Sequence, residues 1–179
     1  MSIFKTLIFI GLFVSFSAHA RFIPPYSNGN QVLSGFENGC QHTKEFDAYI
    51  NSICLRRVFK NTPICEPSKN VVVPKGFNIK DYTVSNMGVY STIRARIRPG
   101  TLYWRGISVL YIETIHGHDN SINGQRLILD VDNVKEALSI LKSQNGKLNK
   151  VLLPGIGNIE AKFVTSADQT ALSCELPIF

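Results

Sequence analysis

The chain has 179 residues, a formal net charge of +6 and 44% hydrophobic residues, enough for one domain with a buried core. It holds no internal repeat, no low-complexity tract and no block of like charge, which excludes a repeat array and an acidic or basic tail. A basic balance of this size speaks to solubility and partners, not to fold.

Residues 1–20 read as an export signal rather than part of the domain. Lys5 is followed by an apolar run, Leu7 to Phe16, broken only by Gly11 and Ser15, and Ala18-His19-Ala20 is a small-x-small end. Cleavage is expected before Arg21. The run is too short to cross about 30 Å of hydrocarbon at 1.5 Å per residue, so no transmembrane anchor is expected after cleavage. Position 21 is Arg, not a lipid-attachment Cys, and no Asn-x-Ser/Thr sequon occurs. Together these point to a bacterial periplasmic or secreted protein.

All four cysteines, Cys40, Cys54, Cys65 and Cys174, follow the signal. An even number in an oxidising compartment predicts two disulfides. Three pairings are possible, of which Cys54–Cys65 and Cys40–Cys174 are favoured. No C-x-x-C pair supports a zinc site.

Residues 21–42 open the mature chain as a loop-rich segment, with Pro24-Pro25, Asn28-Gly29 and Asn38-Gly39. Thr43 then caps an expected helix over 44–59, with Phe46, Ile50, Ile53, Cys54 and Val58 at helical spacing. Val71–Val73 is a short strand candidate stopped by Pro74, and residues 78–87 give no clear pattern. Val89 to Arg98 alternates. Val89, Ser91, Ile93, Ala95 and Ile97 would share one face; Tyr90, Thr92, Arg94, Arg96 and Arg98 the other. Pro99-Gly100 turns the chain into a return strand 101–104, and Arg105-Gly106 bends it into a long strand 107–115. A polar loop, 116–123, leads to a strand 125–130. Asp132 caps an expected helix 133–144 with Val134, Ala137, Leu138 and Leu141 on its buried stripe. Strands 150–153, 159–164 and 170–176 read as an antiparallel meander.

These elements predict an α+β domain, an antiparallel sheet of about six to eight strands against two helices. The alternative is a β barrel or sandwich with peripheral helices.

Two stretches carry candidate function. Arg94, Arg96 and Arg98, with Arg105, Tyr103 and Trp104 close in sequence, have the composition of a surface that recognises phosphate, carboxylate or an acidic protein. His116, His118, Asp119 and Asn120 form the densest polar cluster, and two imidazoles two residues apart on an extended chain point to one side. That pattern could begin a metal site, or be a turn whose Asp and Asn bond their own backbone. No G-x-S-x-G or H-E-x-x-H spacing exists, and the cysteines are committed to bridges. The sequence therefore favours a non-catalytic binding protein, of inhibitor, immunity or envelope-ligand type, with no cofactor. Its expected partner is an acidic protein or anionic envelope component, and nucleic acid is not expected. A secreted metal-dependent hydrolase using His116, His118 and Asp119 is the second reading, and a structural part of an envelope assembly the third.

Overall fold

The structure is a computed structural model that describes residues 29–59, 62–118, 123–154 and 156–176. The predicted signal and cleavage site, Asp119 and Asn120 lie outside the described residues.

A 3-10 turn, Ser34–Glu37, leads into helix α1, Lys44–Ile53. The Thr43 hydroxyl accepts from the Phe46 amide at 3.3 Å, and Glu45 and Asp47 sit in the first turn, where negative charge meets the positive end of the helix. Phe46, Tyr49 and Ile53 fill the inward stripe. The expected helix over 44–59 ends early. At Cys54 the chain turns extended and forms β1, Cys54–Phe59, paired antiparallel with β2, Thr62–Pro67. Cys54 and Val58 are four residues apart, a spacing that satisfies a helical stripe and a period-two strand equally. The bridge between Cys54 and Cys65 closes the hairpin.

The main sheet has seven strands, and every strand pairing in it is antiparallel. It contains β3 (Ile79–Asn86), β4 (Tyr90–Ile97), β5 (Tyr103–Trp104), β6 (Ile107–Gly117) and β7 (Asn123–Leu129). After helix α2 (Val134–Ser143) come β8 (Val151–Leu153), β9 (Gly157–Ile159), β10 (Lys162–Ser166) and β11 (Gln169–Leu176). The order is β10-β11-β7-β6-β4-β3, with β5 also pairing β6. The α+β reading holds at this level. The C-terminal meander does not, because β8 and β9 form their own hairpin and only β10 and β11 join the large sheet. Between them the chain breaks at Glu160-Ala161, where the Ala161 side chain is buried. Val71–Val73 pairs with no strand; the Val72 amide bonds the Ser52 hydroxyl at 2.8 Å instead.

α2 is capped by Asn133, not Asp132: Asn133 Oδ1 accepts from the Glu136 amide at 3.0 Å. Glu136 Oε2 in turn accepts from the Asp132 amide at 2.8 Å, one residue before the cap amide that the usual box engages. Ala137 and Leu141 are buried, but Leu138, expected in the stripe, is 39% exposed. Ile140 takes its place against the core. The helix stops on Asn145 in the left-handed region and on Gly146, where any Cβ would collide with Leu141.

The core lies on one face of the sheet. Ile93, Ala95 and Ile97 of β4 meet Ile112, Leu127 and Leu172 of the neighbouring strands. An aromatic cluster joins the 3-10 turn and α1 to them, with Phe36 and Phe46 ring centroids at 5.7 Å and Tyr49 and Phe77 at 5.9 Å. The Cys40–Cys174 bridge fastens the N-terminal segment to β11.

Candidate functional site

The alternation over β4 puts Arg94 and Arg96 together on the outward face, with Arg98 exposed just past the strand. Their neighbours decide what that face is. Register aligns Arg94 with Glu113, Glu113 with Arg126, and Arg126 with Ser173 across four strands. Arg94 donates from Nε and Nη2 to Glu113 Oε2 at 3.0 and 2.7 Å, and Arg126 Nη1 reaches Glu113 Oε1 at 3.3 Å. Arg126 Nη2 also grips Glu175 Oε1 at 2.6 Å. That hydrogen bond holds the Glu175 carboxyl below its usual range against the opposing effect of burial. Burial alone would lower the Arg126 pKa; its bonds and charges with Glu175 and Glu113 raise it instead. Arg96 pairs with Asp81 at 3.1 Å, and Arg94 lies 5.3 Å from the centre of the Tyr111 ring. This face is a ladder of alternating charge rather than a field of unpaired cations. The sequence could not show it, since the pairing of Glu113 with Arg94 is set by the register between β4 and β6.

Tyr103, Trp104 and Arg105 do not join that face. Trp104 is wholly buried in the core, 6.2 Å from Phe163. The Tyr103 carbonyl accepts from the Gly29 amide at 3.1 Å. Arg105 clamps Glu37 through Nε and Nη2, and its amide donates to Asn30 Oδ1 at 2.7 Å. Tyr103 and Arg105 thus hold down the N-terminal segment.

The two histidines do come together. β6 runs on through Gly117, His116 stands opposite Ser91 on the core side, and the His118 amide continues the ladder to the Val89 carbonyl at 3.0 Å. Both rings line one cavity of about 40 Å³ with Cys54, Arg56, Ile64 and Cys65. Ser91 is fully buried and bonds Asn86 Oδ1, His118 Nε2 (2.9 Å) and the Cys65 amide (3.2 Å). Asn86 Oδ1 can only accept, so the Ser91 proton points to it, and His118 Nε2–H donates to Ser91. His118 is then no base toward that hydroxyl, and the pair is not an activated nucleophile. Burial, aided by the charges of Arg56 and His118, pushes the His116 pKa down to about 4. His42 lies elsewhere, packed against the Phe36 and Phe46 rings, with Nε2 2.8 Å from Gln125 Oε1.

A cluster that spacing rules missed sits in the same cavity. Cys54, Cys65 and His116 bring one ligand-capable atom each to within 4.8 Å of one another. No C-x-x-C or paired-His pattern marks it, because only the seating of the hairpin on β6 brings the bridge to the imidazole.

The first arm of the hairpin is strongly exposed. After Cys54 every residue of β1 is solvent-exposed, including Leu55, Val58 at 73% and Phe59 at 61%. Arg56 and Arg57 lie between them, the latter 3.1 Å from Glu66. Exposed Met87 and Val89 flank the turn joining β3 to β4, beside the β2 residue Cys65. Among the described residues no helix is long and apolar enough to cross a membrane.

The comparisons give no kinship to lean on. No protein-family model matches the chain, and no curated protein or solved structure matches it significantly.

Proposed function

We propose that the protein is an exported, non-catalytic binding protein of inhibitor type that presents the β1–β2 hairpin to an acidic partner protein. The observation that carries this reading is the hairpin's composition at its exposure. A disulfide-closed ribbon holds Leu55, Val58 and Phe59 in water beside two arginines. Large apolar side chains gathered on a protruding element mark an interaction site, and arginine with aromatics is the composition of its buried centre. The ladder on β4, β6 and β7 is less suited to the role, because a partner would have to draw Arg94 from the buried Glu113, whereas Arg57 is held only by the half-exposed Glu66.

A protein cleft fits the hairpin better than a lipid surface. Pleating puts Leu55, Arg57 and Phe59 on one side and Arg56 and Val58 on the other. A membrane takes an element with one apolar face and its charges on the opposite one. Here both faces mix the two, as suits a wedge touched from both sides.

A photo-crosslinking residue at position 59 tests this, with the same residue at position 96 as the reference. A discrete protein adduct from position 59, lost when Arg56 and Arg57 become Gln, supports the reading. Flotation of the protein with anionic vesicles, without such an adduct, would overturn it in favour of a lipid surface.

A further inference from the structure

At the foot of the hairpin, Cys54, Cys65 and His116 gather one metal-ligating atom each within 4.8 Å. We propose that reduction of the Cys54–Cys65 bridge converts this corner into a two-thiolate, one-imidazole site for a borderline-soft divalent cation of the Zn²⁺ class. Among the described residues no other group of cysteines, histidines and carboxylates meets the same condition.

The redox step needs a dithiol reductant. One of its thiolates attacks a bridge sulfur and forms a mixed disulfide, releasing the other cysteine. Its second thiolate then closes the reductant's own disulfide. Two electrons and two protons pass to the protein, leaving Cys54 and Cys65 as thiols. The incoming ion displaces both protons to solvent. The two thiolates cancel its charge, so the filled site presents no net positive charge to Arg56, which lines the same cavity. Tetrahedral coordination at about 2.3 Å to sulfur and about 2.0–2.1 Å to nitrogen spaces ligand atoms about 3.5–3.8 Å apart. Reduction frees the two bonded sulfurs to part to that spacing, with an imidazole nitrogen already within 4.8 Å of both, and a fourth position stays open to water. The cavity of about 40 Å³ exceeds the roughly 10–15 Å³ that one water needs.

The imidazole is already held for the task. Thr114 Oγ1 donates to the Ile93 carbonyl at 3.4 Å and therefore accepts from His116 Nε2–H at 3.2 Å. That leaves the lone pair on Nδ1, and a hydrogen bond from the non-ligating nitrogen is the usual support of a metal-bound histidine. His118 is spent on Ser91. The bridge is also the one within reach of a reductant: Cys54 is half-buried at the cavity, whereas Cys40 and Cys174 are both buried.

The test treats the folded, disulfide-bonded protein with a dithiol and titrates it with Co²⁺, then Zn²⁺. Alkylation and peptide mass mapping should find new thiols at Cys54 and Cys65 first. The reduced protein should bind one Co²⁺ with thiolate-to-cobalt charge-transfer absorption, displaced by Zn²⁺, and the oxidised protein none. His116→Ala should weaken Zn²⁺ binding more than about 10-fold, while His118→Ala leaves it unchanged. If reduction loosens the fold, Zn²⁺ should restore the circular-dichroism spectrum. Cys54→Ser needs no reductant, and should give a weaker one-thiolate Co²⁺ spectrum that His116→Ala abolishes. Charge-transfer bands absent from the reduced protein, equal affinity in His116→Ala, or a reduced chain that Zn²⁺ does not refold each overturn the proposal.

Discussion

Arg105 closes on Glu37 across 68 positions of sequence, Nη2 to Oε2 at 2.6 Å and Nε to Oε1 at 2.9 Å. Glu37 is only 7% exposed, and Arg105 holds a left-handed backbone to reach it. The pair ties the 3-10 turn to the start of the long β6 strand. Removing the guanidinium leaves a carboxylate stranded at the edge of the core. Arg105→Ala should lower stability by about 3 kcal/mol, read as a shift in the urea midpoint. Arg105→Lys should recover only part of it, since an ammonium cannot make the two-point contact.

The two bridges should be unequal in their worth. Cys40–Cys174 spans 134 positions and Cys54–Cys65 spans 11. Loop-closure entropy then predicts a loss of about 4–5 kcal/mol when the first is removed and no more than about 3 kcal/mol for the second. Denaturation of Cys40→Ser/Cys174→Ser beside Cys54→Ser/Cys65→Ser measures the difference. A larger loss from the short bridge contradicts the assignment of roles. Alkylation of the denatured, unreduced protein should label none of the four cysteines.

Acid should weaken the fold in a defined window. His116 has a folded pKa near 4 against an ordinary value of 6.5, so the unfolded chain takes up its proton first as the pH falls. The contribution of His116 to stability is therefore whole above pH 6.5, declines toward pH 4 and is constant below it. His42, also lowered mainly by burial, acts in the same sense. Urea midpoints of wild type and His116→Gln across this range check the sign. The variant should show the shallower decline, and an unchanged slope would refute the buried, neutral imidazole.

The arginines of β4 should not behave alike. Arg94 serves a Glu113 that is 5% exposed, while Arg96 and its partner Asp81 stand at the surface. Arg94→Gln should cost about 1–2 kcal/mol, and Arg96→Gln less than about 0.5 kcal/mol. Thermal unfolding of the two single variants decides it; equal, negligible shifts would show that the ladder is a solvated surface and no more.

Much of this architecture was legible from residue order alone. The alternation from Val89 to Arg98 gave β4 and its two faces, Thr43 gave the start of α1, and the favoured cysteine pairing matches both bridges. Where the reading failed, two physical patterns coincided or a distant partner decided. Cys54 to Phe59 is too short for a period of 3.6 to be told from one of 2, and the bridge to Cys65 settles it as a strand. The charge balance of Arg94 and the neighbourhood of His116 depend on register between strands, which no local pattern encodes. Trp104 shows the opposite limit. Its position beside Arg105 suggested a recognition surface, yet the pleat turns its ring into the core.

The Cys40–Cys174 bridge makes the described domain from the end of the 3-10 segment to the last strand one covalent ring. A single peptide cleavage anywhere between those residues opens the ring without dividing it, and the sheet keeps the new ends in register. A protease that cut the protruding hairpin would face a further hold, because Cys54 and Cys65 join the two arms of that loop as well. A nicked molecule would keep its mass under oxidising conditions and fall into fragments only when reduced.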